Sequence, residues 1–200
     1  LWADIRAVDV TERLGCFSFD PVLLGERLPR IHLQLAGRHN MFNAMFALGL
    51  AHIAEADLSG ACQGISDFVG VRRRFELLTG PAGGMLVNDY AHHPVEIEAV
   101  LGAARRRFPG KRLLVAFQPH QYQRTLFLLD RFAEAIATAD TALITGIYGA
   151  RESDEIMASV SAGDLVNGVR EFGCDAHFAG PVAGLPEVVA KHYKPGDVIL

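Results

Sequence analysis

No stretch of this 200-residue chain approaches the roughly 18 consecutive apolar residues that a membrane-spanning helix needs, and no signal-peptide pattern opens it. An excess of one charge is also lacking. Nineteen basic and 23 acidic residues leave a net charge of −4, which argues against nucleic-acid and anionic-membrane partners, because those need clustered positive charge. Cysteine is scarce and odd in number. Cys16, Cys62 and Cys174 stand far apart and outside any CxxC pair, which disfavours a zinc site or a disulfide framework and points to a reducing, cytoplasmic compartment. No GxGxxG follows a predicted strand, so a dinucleotide-dependent dehydrogenase is disfavoured. The phosphate loop GxxxxGK followed by Ser or Thr occurs nowhere in these residues.

What is present suits a packed protein, since half of the residues are hydrophobic. Short apolar or alternating runs at Ile5 to Thr11, Cys16 to Phe19 and Ile31 to Leu35 read as strands, separated by Gly15, Asp20-Pro21 and Gly25-Glu26. Met41, Ala44, Met45, Leu48 and His52 then form one helical stripe, and Ser59 to Val69 reads as a second helix. After Gly70 strands and helices alternate. Strands are expected at 75–78, 85–88, 111–118, 141–148, 176–178 and 197–200. Helices are expected from Pro94 to Phe108, Leu126 to Ala137, Ser159 to Phe172 and Val182 to His192. The fold class is α/β, with a mainly parallel six-stranded sheet covered on both faces and a domain boundary near residue 70. The chain opens on Leu1 and stops in an apolar run, Val198 to Leu200, that reads as a strand cut mid-course, so a fragment is expected.

Ligands of open parallel sheets bind beyond the carboxyl ends of the strands. Three predicted strand ends here carry dense polar chemistry: Asp89-Tyr90-Ala91-His92-His93, Gln118 to Thr125, and Gly149 to Asp154. Arg124 near a helix start offers a bidentate fork for an anion. Asp89 reads equally as a turn cap, and His92 and His93 as satisfied helix-terminus residues. A metal site from His92, His93 and His120 is disfavoured, since adjacent histidines rarely point the same way. In 37–44, Asn40 and Asn43 share a helix face and carry amides that both donate and accept, as an adenine edge requires; a cap and a surface residue are the plain alternative.

Together these segments resemble the Mur ligase family. The matching pieces are GRHNMFNA at 37–44, GVRRRFE at 70–76, NDYAHHPVEI at 88–97 and FQPHQYQRT at 117–125, with a looser match in IYGARE at 147–152. They stand in family order from about residue 14 to the end. The FQPH…RT element is that of members joining UDP-N-acetylmuramate to L-alanine. The resemblance implies an ATP- and Mg²⁺-dependent ligase of peptidoglycan synthesis, forming an amide through an acyl phosphate. The Mg²⁺ ligands and phosphate loop are expected upstream, so the fragment alone is expected to be inactive. Residues 1–70 would be the end of the central ATP-binding domain, and 71–200 a Rossmann-like last domain truncated at its end. His39, Asn40, Asn43, Arg74, Asp89 and Tyr90 match nucleotide-binding positions, with Arg74 and Asp89 catalytic. His92, His120, Gln121 and Arg124 match substrate-binding positions. Gln121 departs from the pattern: alanine-adding members carry a second arginine there, and an amide cannot supply its charge. A monomer or weak homodimer is expected. Two alternatives are a ligase that recycles murein peptide and a nucleotide-binding module without catalysis.

Overall fold

The computed structural model describes residues 4–80, 84–149 and 151–200. The middle of the turn expected at 80–84, and residue 150 of the 147–152 segment, lie outside them. The chain opens with a small antiparallel sheet. Strands β1 (Ile5–Arg13) and β2 (Cys16–Leu23) pair from Arg13↔Cys16 to Ile5↔Leu23. Leu14 and Gly15 both take positive φ, 49° and 78°, as a tight hairpin turn matched to the strand twist requires. Strand β3 (Glu26–Arg27) pairs with one end of β2, and β4 (Ile31–Ala36) with the other.

Asp20-Pro21 does not separate two strands, contrary to the sequence expectation, but lies inside β2. Proline is tolerated there because the β4 pairs end at Phe19 and the β3 pairs begin at Val22, so a missing N–H breaks neither ladder. Helices α1 (Arg38–Ile53) and α2 (Leu58–Asp67) cover this sheet, and Phe17, Phe19, Ile31, Met41 and Leu48 form its core. The expected stripe on α1 holds through Leu48, while His52 is exposed. Asp57 starts α2 by accepting the Ser59 and Gly60 amides at 3.1 and 3.0 Å.

The rest builds a six-stranded sheet from β5 (Glu76–Thr79), β6 (Met85–Asn88), β7 (Leu113–Phe117), β8 (Thr141–Ile144), β9 (Asp175–Phe178) and β10 (Val198–Ile199). Its order is β5-β6-β10-β7-β8-β9, parallel except for the edge strand β5. Side chains alternate by face. Leu113, Val115 and Phe117 enter the core beneath α3 (Pro94–Arg107), α5 (Leu129–Ile136) and α7 (Ala162–Glu171). Leu114, Leu143 and Ile199 point the other way, under α8 (Leu185–His192). Both faces are therefore covered, which is why β7 and β8 read as continuous apolar runs.

Three local expectations shift. The strand expected over 141–148 ends at Ile144, where its partner β9 also ends at Phe178; Tyr148 then forms an isolated bridge with His120. The helix expected from Leu126 starts earlier, as α4 (Tyr122–Phe127), and breaks at Leu128 before α5. A short helix, α6 (Asp154–Met157), precedes α7, whose start is set by a capping box between Ser161 and Asp164.

The two sheets meet near residue 70. Gly70 takes φ 100°, a conformation that favours glycine, and a Cβ there would stand 2.8 Å from Leu35 Cδ2, whose side chain would have to shift. Ala36 joins the larger core, and Arg106 on α3 reaches Glu12 on β1 at 3.4 Å.

Candidate functional site

The loops after β6, β7 and β8 and the residue after β10 converge on a pocket of about 440 Å³ at the carboxyl edge of the large sheet. Its polar lining includes Arg73, Asp89, His92, Gln118, His120 and Arg124, with the rings of Tyr90 and Tyr148, over an apolar floor that includes Ile97, Val115 and Leu200.

Asp89 is tied down by its own backbone surroundings. Its Oδ2 accepts the Phe75 amide and its Oδ1 the Ala91 amide, both at 2.7 Å, which fixes the entry to β5 against the loop after β6. The Tyr90 amide donates to the Arg73 carbonyl at 2.9 Å across the same junction. The Arg73 guanidinium lies 4.3 Å from the Tyr90 ring centroid and that of Arg74 6.0 Å away. Arg73, which the motif comparison passed over, thus lines the pocket; Arg74 is exposed beside it.

His92 Nδ1 lies 3.0 Å from the Tyr90 carbonyl oxygen. His93 is turned to a structural task before α3, its amide donating to Glu96 Oε2 at 3.2 Å and its carbonyl accepting the Glu96 amide at 2.9 Å. Burial works against the Glu96 charge, but the His92 and His93 amides and the His92 ring outweigh it and hold the carboxyl below its usual range.

The loop after β7 is built differently. His120 stacks on Tyr148, with centroids 5.2 Å apart at 26°. The Tyr148 amide donates to the Pro119 carbonyl, and the Gln121 amide to the Tyr148 carbonyl, each at 2.8 Å. Gln121 takes φ 72°, a conformation that costs a non-glycine residue about 1–3 kcal/mol, and it does not line the pocket. Arg124, in the first turn of α4, does line it. Its Nη1 is buried and has no hydrogen-bond partner among the described residues. An unpaired guanidinium nitrogen carries a desolvation cost that an anion in the pocket would relieve.

Asn40 and Asn43 stand elsewhere. They line a separate, mostly apolar pocket of about 240 Å³ with Leu33, Ala47, Ile65 and Phe68. Asn40 Nδ2 donates to the Ala36 carbonyl at 2.9 Å, and Asn43 Nδ2 donates to Asn40 Oδ1 at 3.3 Å. His39, exposed in the first turn of α1, lines neither pocket. Desolvation pushes its pKa down, Asp89 pulls it up, and Arg106 pushes it down; the net is below the usual histidine value. Among the described residues no three His, Cys, Asp or Glu side chains are grouped to hold a metal ion. No described helix is long and apolar enough to cross a membrane.

Sequence reasoning missed Arg73, Tyr148 and Glu152. Tyr148 and Glu152 both lie in the loosely matching 147–152 segment, where a tyrosine and a carboxylate at a strand end were available as signals.

A mainly parallel sheet with its polar loops gathered around a pocket at the carboxyl edge, beside a smaller antiparallel unit with a pocket of its own, defines an α/β protein of two sheets. Residues 73–200 match the Mur ligase, glutamate ligase domain, and the chain belongs to this family. UDP-N-acetylmuramate–L-alanine ligase of Salinibacter ruber is 40% identical over 200 residues, covering 99% of this chain and 42% of that protein. The enzyme of the same name from Caldanaerobacter subterraneus is 38% identical, covering 99% of this chain and 43% of that protein. The chain thus spans about two fifths of the length of these relatives. Among solved structures, UDP-N-acetylmuramate-alanine ligase of Thermotoga maritima matches 98% of this chain and 41% of its own, with a TM-score of 0.75 at 24% identity. A folylpolyglutamate synthase of Mycobacterium tuberculosis matches 98% of this chain and 45% of its own, with a TM-score of 0.72 at 19% identity. These two likenesses establish the fold.

Proposed function

We propose that this chain supplies the C-terminal part of a cytoplasmic, ATP-dependent ligase that joins UDP-N-acetylmuramate to L-alanine in peptidoglycan synthesis. Residues 1–70 would complete an ATP-binding domain and residues 71–200 would close over it. The observation that carries the reading is the buried, unpaired Arg124 Nη1 in a pocket where Arg73 adds a second cation. Such a pocket suits a carboxylate or a phosphorylated group, and the sugar nucleotide carries both.

In the proposed reaction the muramoyl carboxylate attacks the terminal phosphorus of ATP and ADP leaves. The amine of alanine then attacks the acyl carbon, inorganic phosphate leaves, and the amine gives up a proton. Arg124 would hold the substrate's anionic group and offset charge on the transferring oxygens. His92 and His120 would orient the substrate by hydrogen bonds, and the apolar floor would keep water away from the reacting acyl group. Asn40 and Asn43 would meet the polar edge of adenine while Leu33 and Phe68 supply apolar surface for the base. Mg²⁺, when bound, would neutralise phosphate charge. The described residues offer it no three-ligand cluster, so its protein ligands would lie outside them.

The test is Arg124→Ala in the full-length ligase, with UDP-N-acetylmuramate binding measured by calorimetry. Loss of one charge-assisted, desolvated contact should weaken binding on the order of 10- to 100-fold. Parent-like binding would remove Arg124 from the site.

A further inference from the structure

One carboxylate near the pocket has no role in the scheme above. Glu152, in the loop after β8, accepts the Tyr122 amide on Oε2 at 2.7 Å and the Gln123 amide on Oε1 at 2.8 Å. These are the first two amides of α4, the helix that carries Arg124. The sequence offers α4 no cap of its own: Gln121 precedes it and makes no side-chain capping bond. The partner comes instead from 29 and 30 residues along the chain.

A second contact ties the same two pieces. Gly149 lies so close to the Tyr122 ring that a Cβ there would stand 3.1 Å from Cε2. A third runs through the backbone, where the Gln121 amide donates to the Tyr148 carbonyl. The result is a short helix held in place by its neighbour's loop, with Gln121 kept at φ 72° as the chain enters it.

We propose that Glu152 is a positioning residue of the ligand pocket: by clamping the first turn of α4 it sets where the Arg124 guanidinium lies. Six residues of helix cannot hold that orientation alone, because isolated helices of this length are not stable in water. A carboxylate spread over two amides fixes both the height and the rotation of the first turn. Arg124 follows two residues later, so a tilt of that turn is transmitted directly to its side chain. A guanidinium displaced by even 1 Å can cost up to about a hundredfold in function.

The inference takes its substrate from the proposed function, and the test separates the two. In the full-length ligase, Glu152→Ala should raise the KM for UDP-N-acetylmuramate on the order of tenfold with a smaller change in kcat. Glu152→Gln, which keeps one acceptor and the side-chain volume, should fall between parent and Glu152→Ala. The decisive comparison is the double variant Glu152→Ala/Arg124→Ala. If Glu152 acts through Arg124, the pair should bind UDP-N-acetylmuramate no worse than Arg124→Ala alone. Multiplying effects, or parent-like KM in Glu152→Ala, would overturn the inference; should Glu152→Ala fail to fold, Glu152→Gln with Arg124→Ala decides by the same comparison. If the parent neither ligates nor binds the sugar nucleotide, the proposed function falls. Amide exchange at Tyr122 and Gln123 then decides, and protection in Glu152→Ala equal to the parent would overturn the clamp.

Discussion

Arg124 and Asp89 occupy the same pocket in opposite states. Arg124 has a nitrogen without a partner, while both Asp89 oxygens are already engaged by the Phe75 and Ala91 amides. A hydrogen bond to a charged group contributes about 1.5–3 kcal/mol, so Asp89 stabilises the junction whatever it does for a ligand. Asp89→Ala should therefore lower both turnover and melting temperature, by a few degrees in the latter, whereas Arg124→Ala should lower binding and leave melting unchanged or slightly raised. Thermal scans of the two variants side by side check this; equal melting losses would show that Arg124 also braces the fold. The sequence made Arg124 legible through its charge and its place after a strand. It could not show that Arg73 rather than Arg74 borders the pocket, because three consecutive arginines carry no directional information. Glu152 stood in the sequence as a carboxylate at a strand end, but its partners could not be read there, because they are amides on a distant segment rather than side chains with a pattern.

At the scale of elements, the alternation of apolar runs and helical stripes was sufficient for all six strands of the large sheet, since side chains on β7 and β8 enter opposite cores in strict turn. Boundaries were less legible where distant groups decide them. The end of β8 depends on where β9 stops, and the start of α4 depends on Glu152. The opposite edge of the sheet is fixed by Arg112, just before β7. Its guanidinium holds Asp197 with Nε–Oδ1 at 3.0 Å and Nη2–Oδ2 at 2.6 Å, and Nη1 donates to Thr141 Oγ1 at 2.9 Å. Asp197 is 4% exposed, and removing one partner of such a pair costs about 3–5 kcal/mol. Asp197→Ala should lose stability on that scale in chemical denaturation.

The same pair sets a direction for pH. Burial opposes the Asp197 charge, yet the Arg112 hydrogen bond and the Lys194 amide outweigh it, so its folded pKa is depressed. Asp140, opposed by burial but held by Arg105 and the Leu113 amide, is depressed as well. Their contribution is complete above the unfolded carboxylate value of about 3.9 and is lost as pH falls through the lower folded values. Denaturation midpoints should thus hold from neutrality to near that value and fall below it. In Asp197→Ala the acid-side fall should be shallower; an unchanged slope would show that this carboxylate does not govern acid stability.

On the scale of the whole molecule, the Asn40–Asn43 slot and the Arg124 pocket belong to different sheets, joined by the Gly70 crossing and braced by Arg106–Glu12. Under the proposed function, one would hold the nucleotide and the other the muramoyl acceptor, and catalysis would require closing the distance between them. His39, placed within electrostatic reach of Asp89 and Arg106, stands where such closure would be felt. The change of pattern at residue 70 coincides with the passage from the small antiparallel sheet to the large one. The contacts between the two sheets were not legible, because they rest on individual residues with no period.

The most direct test of the central claim is phosphate release from ATP by the full-length protein, with UDP-N-acetylmuramate as acceptor and L-alanine, L-serine, glycine or murein tripeptide as amine. The proposed function predicts release that depends on both the sugar nucleotide and L-alanine. Dependence on the tripeptide instead, or no release with any amine, would contradict it.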